Sequence, residues 1–176
     1  MTMVPPASLA TRLNIPNCTR MALIHDMAES LVGDITPMDG ISNAEKSRRD
    51  EATMDYLCKS LLGNVYGGLS GEEIWKVWKE YEDSETLEAK YVHDIDKLEL
   101  LLQMVDYERS HGGRVDLGDF ANVSTRIKLP EMREWADQIL AGRNAFWASI
   151  GETPSDGVNE LSQEQIDQLD EYYGKT

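Results

Sequence analysis

Cysteine is nearly missing from the sequence: Cys18 and Cys58 are the only two. Two thiols cannot build a disulfide framework, and they fit a reducing compartment. Long apolar runs are absent as well, so no stretch approaches a membrane span. The opening residues hold no apolar signal-peptide core, and Pro5 and Pro6 interrupt any amphipathic transit helix. A cytoplasmic protein, reaching the nucleus by diffusion, is the expectation. Positive charge is scarce, with 17 Lys and Arg against 32 Asp and Glu for a formal net charge of −15. Such a chain repels phosphate backbones and anionic lipid, which argues against nucleic-acid polymers and membranes as partners. An anionic small substrate would need local positive charge or a bound cation to be drawn in. No internal repeat is visible, and the four tryptophans do not recur at a fixed period.

What is present reads as helix almost throughout. A length of 176 residues with 41% hydrophobic residues suffices for one domain with a core. Asn14 or Asn17 caps an expected helix over 18–32, stopped by Gly33. A charged helix is expected over 44–62, with Glu45 and Arg49 in the favourable order four apart. GNVYGGLSG breaks it, and a short aromatic helix over 70–82 comes next. Ser84 is read as the cap of a long helix over 84–110, with Leu87, Tyr91, Ile95, Leu98, Leu102 and Val105 at helical spacing. HGGR ends that helix, His111 being a turn residue, and Pro130 opens a last one carrying Met132, Trp135, Ile139, Phe146 and Ile150. The domain is assigned to residues 1–150, and the acidic, glutamine-rich 151–176 to a flexible tail.

The stretch HDMAESLVGD concentrates one imidazole and three carboxylates in ten positions. On a helix, residues i, i+1 and i+4 share a side, so His25, Asp26 and Glu29 face one space with Asp34 just beyond. Met21, Leu23, Ile24, Met27, Ala28, Leu31 and Val32 leave little of this helix to face water, which favours a functional cluster over a solvated one. Nitrogen and carboxylate donors without thiolate suit manganese, cobalt, magnesium, iron or zinc. Lys46, Arg48 and Arg49 would suit a phosphate, although a solvated face paired with Glu45, Asp50 and Glu51 is the favoured reading. The four tryptophans are read as core or dimer contacts.

HDMAESLVGDI resembles the central motif of the HD-domain metal-dependent phosphohydrolases, most closely their 5'-deoxynucleotidase branch. The resemblance continues through KSRRDEAT, WKVWKEYED and AKYVHDIDKLELLLQ, over roughly residues 15–150. It implies an all-α HD-domain helical bundle and a homodimeric phosphoric monoester hydrolase. The implied reaction is metal-dependent hydrolysis of deoxynucleoside 5'-monophosphates to deoxynucleosides and phosphate, with Mn, Co or Mg as the first choices and Zn or Fe as others. It assigns His25, Asp26 and Asp96 as metal ligands and Glu29 as the acid that handles the attacking water. Glu29, Asp34 and the backbone oxygen of Ile35 are assigned to a second metal or to substrate. Burial alone would single out Asp94, whereas the family frame in IDKLE selects Asp96, and the family is followed. The family's first histidine ligand precedes the motif, yet no histidine precedes His25 here. A start at an internal methionine of a longer protein is the expectation, with a short form carrying an incomplete site as the alternative. The rival functions are hydrolysis of another nucleotide phosphoester and a non-catalytic nucleotide-binding or helical subunit.

Overall fold

The computed structural model describes residues 4–36 and 39–155. Helices α1 (Ala7–Ala10), α2 (Ile15–Ile24), α3 (Glu29–Val32), α4 (Asn43–Asp55), α5 (Leu69–Asp83), α6 (Leu87–Ser110) and α7 (Pro130–Ser149) account for most of it. Among the described residues there is no strand, in keeping with the all-α expectation. The chain divides into two compact units, with the boundary inside α6 between Val92 and His93.

In the first unit, Asn14 caps α2 by accepting the Asn17 amide at 3.2 Å, and the Asn17 side chain donates to Glu80 of α5 at 3.1 Å. Ser42 accepts the Glu45 amide and starts α4, a cap that the expected 44–62 helix lacked. Beyond Asp55 the helix winds into a π segment, Tyr56–Leu61, closed by a Leu62 amide to Leu57 carbonyl bond of 3.0 Å. The break at GNVYGGLSG is tight: Tyr66 (φ 48), Gly67 (φ 66) and Gly68 (φ 86) all take left-handed backbone before α5 begins. Ala28, Met54, Cys58 and Trp78 form one buried core cluster of this unit, with Ile24, Met27, Leu57, Ile74 and Trp75 packed around them. Gly71 is required there, because a Cβ would meet the Cys58 carbonyl oxygen at 2.0 Å.

Ser84 corrects one expectation. It takes φ 53 and ends α5, while Thr86 accepts the Ala89 amide at 3.1 Å and starts α6. A serine in a short linker can serve the helix on either side, and spacing alone does not say which.

The second unit is held by a buried polar cluster. Glu108, fully buried, accepts from Arg143 Nε and Nη2, from the Trp147 indole at 2.9 Å and from the Leu117 amide at 2.8 Å. Arg143 also reaches Asp116 at 2.6 Å and the Ser155 carbonyl at 2.7 Å. Burial works against the Glu108 charge, but these donors outweigh it and hold its carboxyl below the usual range. Residues 151–155, the first of the expected tail, are therefore anchored by Ser155 on Asp116, and the rest of that tail lies outside the described residues. HGGR ends α6 with Gly112 (φ 61) and Gly113 (φ 72), and Pro130 sits at the start of α7 as expected.

Candidate metal-binding site

The HDMAES motif does not lie on one continuous helix. α2 ends at Ile24, residues 25–28 form turns, and α3 starts at Glu29. The amides of Met27, Glu29, Ser30 and Leu31 each reach back three residues, to Ile24, Asp26, Met27 and Ala28. This tighter winding has about three residues per turn, so positions i and i+3 align and Asp26 and Glu29 fall on one side of it. The i, i+1, i+4 geometry expected for an α-helix is corrected accordingly. Another expectation also falls: Leu23 and Leu31 are 77% and 61% exposed, so this segment faces water more than its apolar count suggested.

His25 is fixed from three sides. Its Nδ1 lies 3.0 Å from the Ala22 carbonyl, its ring tilts against Tyr81 at 5.0 Å, and its Nε2 meets Asp26 Oδ2 at 3.0 Å. A carbonyl only accepts, so Nδ1 carries the hydrogen and Nε2 is the nitrogen presented to the carboxylate. When Nε2 carries a hydrogen as well, its bond to Asp26 holds that carboxyl below the usual range. Glu29 is displaced the other way: burial first, then the charges of Asp26 and Asp34, push its carboxyl up to about 7. Asp34 is exposed after the Gly33 stop (φ 78), and Ile35 beside it is buried. Burial also pushes the Cys18 thiol up to about 11, with Glu88 adding to it, which removes it from thiolate chemistry.

The two aspartates of α6 have different fates. Asp94 is fully buried, and its oxygens accept the Lys128 and Leu129 amides at 2.9 and 2.8 Å, tying down the entry to α7. Asp96 lies on an exposed position of α6. Among the described residues, no three His, Cys, Asp or Glu side chains are gathered closely enough to hold a metal as they stand. The His111 ring contacts the Tyr107 carbonyl through Nδ1 at 2.8 Å, and the His93 backbone carbonyl accepts from Lys97 at 3.0 Å.

A profile described as "HD domain" matches residues 1–135. The chain belongs to the HD-domain family. The 5'-deoxynucleotidase YBR242W of Saccharomyces cerevisiae is 42% identical over 140 residues, covering 80% of this chain and 58% of that protein. The 5'-deoxynucleotidase YGK1 of the same yeast is 44% identical, covering 77% and 62%. The 5'-deoxynucleotidase HDDC2 of Xenopus laevis is 38% identical, covering 81% and 69%. This HD-domain chain thus spans about three fifths of the length of the two yeast relatives. A solved structure, HD domain-containing protein YGK1, superposes with a TM-score of 0.65 at 36% identity, covering 78% of this chain and 69% of that one.

HD-domain hydrolases use a divalent metal, and the His25–Asp26 pair fits one on its own chemistry. A neutral imidazole nitrogen and a carboxylate are both acceptors, so their approach to 3.0 Å needs a proton or a cation between them. The carboxylates of Glu29 and Asp34 add negative charge nearby, and a cation would relieve the repulsion that raises Glu29. Sequence reasoning missed Tyr81, whose ring steers the histidine. The signal was there in WKVWKEYED, but an aromatic at helical spacing reads as core.

Proposed function

We propose that this HD domain hydrolyses deoxynucleoside 5'-monophosphates to deoxynucleosides and phosphate, with His25, Asp26 and Asp96 holding a divalent ion of the Mn, Co or Mg kind. When bound, the ion supplies Lewis acidity to the phosphoryl oxygen and lowers the pKa of water. Glu29 takes the proton of the attacking water, and a carboxyl pushed to about 7 is matched to that work near neutral pH. The oxygen of that water bonds to phosphorus while the P–O5' bond breaks, and the released nucleoside takes up a proton. Asp34 and the Ile35 carbonyl serve with Glu29 at a second cation or at substrate. Asp94, with both oxygens engaged, is unsuited to ligation, which supports Asp96. The protein acts as a homodimer in a reducing compartment, in line with two buried, free cysteines.

The observation that carries this reading is Glu29, raised toward neutrality beside the His–Asp pair in a chain 35–44% identical to proteins named 5'-deoxynucleotidase. The test is phosphate release from deoxy and ribo monophosphates in Mn2+ or Co2+, before and after chelation. Activity that favours the deoxy series, disappears with chelator and falls roughly 100-fold or more in Glu29→Gln is expected. Equal rates on both series, or an undiminished Glu29→Gln, would overturn it.

A further inference from the structure

We propose that Lys46 is a phosphate-contacting residue of this site, with Asp50 as its positioning residue. The inference rests on the nucleotidase reading for its substrate, though not for its geometry. Three cations stand close together on α4, and the structure separates them. Arg48 and Arg49 both pair with Glu45, at 2.8 and 2.7 Å, with side chains 67% and 40% exposed. This is the solvated face expected of the KSRRDEAT run. Lys46 departs from it. Its Nζ meets Asp50 Oδ2 at 2.9 Å, and the two side chains are only 18% and 5% exposed.

Lys46 and Asp50 begin the inward stripe of α4 that continues through Thr53 and Met54, and Met54 enters the core beside Ala28 and Trp78. An apolar pair would fill this position with less penalty, since burying two ions is offset only when every lone pair is satisfied. That condition is not met, because Asp50 Oδ1 is buried and accepts no hydrogen bond. A pair this poorly suited to stability points to a ligand.

The electrostatics say which ligand. α3, which begins at Glu29, packs against α4. Burial alone would lower the Lys46 pKa, yet Asp50, Glu29 and Glu82 together hold it above the usual lysine range, so the ammonium stays charged. The same ammonium counts among the charges that lower Asp26 and oppose the rise of Glu29. A positive charge on α4 thus lies within electrostatic reach of Glu29 on the packed α3, in a protein whose net charge of −15 repels a phosphate dianion. An ammonium has three donors and no acceptor, so it can bridge Asp50 to a phosphoryl oxygen. The recognised chemistry is a phosphate monoester or inorganic phosphate.

The probe is inorganic phosphate, titrated calorimetrically into the full chain in excess Mn2+, with turnover of deoxynucleoside monophosphates measured in parallel. Lys46→Met should weaken phosphate binding at least about tenfold, which corresponds to about 1.4 kcal/mol. Lys46→Arg should stay within about threefold, since it keeps the charge and donors. Because Lys46→Met strands a buried carboxylate, the double variant Lys46→Met with Asp50→Leu is the control for folding, and it should show the same loss. Phosphate affinity unchanged in either methionine variant, or no phosphate binding by the wild-type chain, overturns the inference. Lysine-dependent phosphate binding without turnover supports Lys46 and sinks the nucleotidase reading. Turnover with lysine-independent phosphate binding sinks Lys46 alone.

Discussion

Replacing Arg143 with methionine tests whether the second unit depends on its buried charges. The guanidinium and Glu108 are 3% and 0% exposed, and the substitution removes every Arg143 donor to Glu108. Only the Trp147 indole and the Leu117 amide then remain to the carboxylate. Asp116 and the Ser155 carbonyl lose a donor too. Breaking such a pair from one side costs about 3–5 kcal/mol, because a desolvated charge is left behind. For a chain of this length, that loss lowers the melting temperature by roughly 6–20 °C. The pH dependence has a definite sign. In the wild type the Glu108 pKa is depressed, so its contribution is complete above the unfolded value of about 4.3 and fades as pH falls through the lower folded value. In Arg143→Met the main lowering cause is gone and burial prevails, so the carboxyl pKa rises and acid favours the folded variant. The gap between the two proteins therefore narrows from pH 7 to about pH 4.5. Tryptophan fluorescence during thermal unfolding reads this directly, because Trp147 donates to the affected carboxylate. A shift under about 3 °C at pH 7, or a gap indifferent to pH, would refute the reasoning.

Two more substitutions probe assignments made above. Asp94→Ala orphans the Lys128 and Leu129 amides and should cost about 2–4 kcal/mol in urea unfolding, while Mn2+ stoichiometry of the folded protein is retained. Lost metal with unchanged stability would exchange the roles of Asp94 and Asp96. Gly71→Ala places a methyl group against the Cys58 carbonyl and should cost about 1–3 kcal/mol. An unchanged urea midpoint would show that α5 can move away there.

Much of the fold was legible because its signals are local. Pro130 at a helix start, the glycines after His111 and the Glu45–Arg49 pair each act over a single turn, and each is found as expected. The winding of residues 25–28 was not legible, since apolar spacing cannot distinguish three residues per turn from 3.6 over so short a stretch. Leu23 and Leu31 misled for a different reason: apolar character permits burial without requiring it. Asp94 illustrates the reverse case. Its place near the apolar stripe does reflect burial, but the burial serves two backbone amides more than thirty residues away in sequence, a partnership no local pattern encodes. Lys46 could not be told from Arg48 and Arg49 by composition, because the difference lies in which side of α4 the core occupies.

The wider turn at Tyr56–Leu61 constrains how this molecule can change. Its surplus residue lets the Cys58 carbonyl abut Gly71 while Leu57 and Cys58 both reach the core. Deleting one residue there would let the turn close as ordinary α-helix, leaving Met54 and the Lys46–Asp50 pair on their present bearing while moving the Cys58 carbonyl away from Gly71. A one-residue loss in α4 itself would instead rotate everything before it by about 100°, so this turn is where the helix best tolerates shortening. Descendants of this sequence that drop a letter should drop it here.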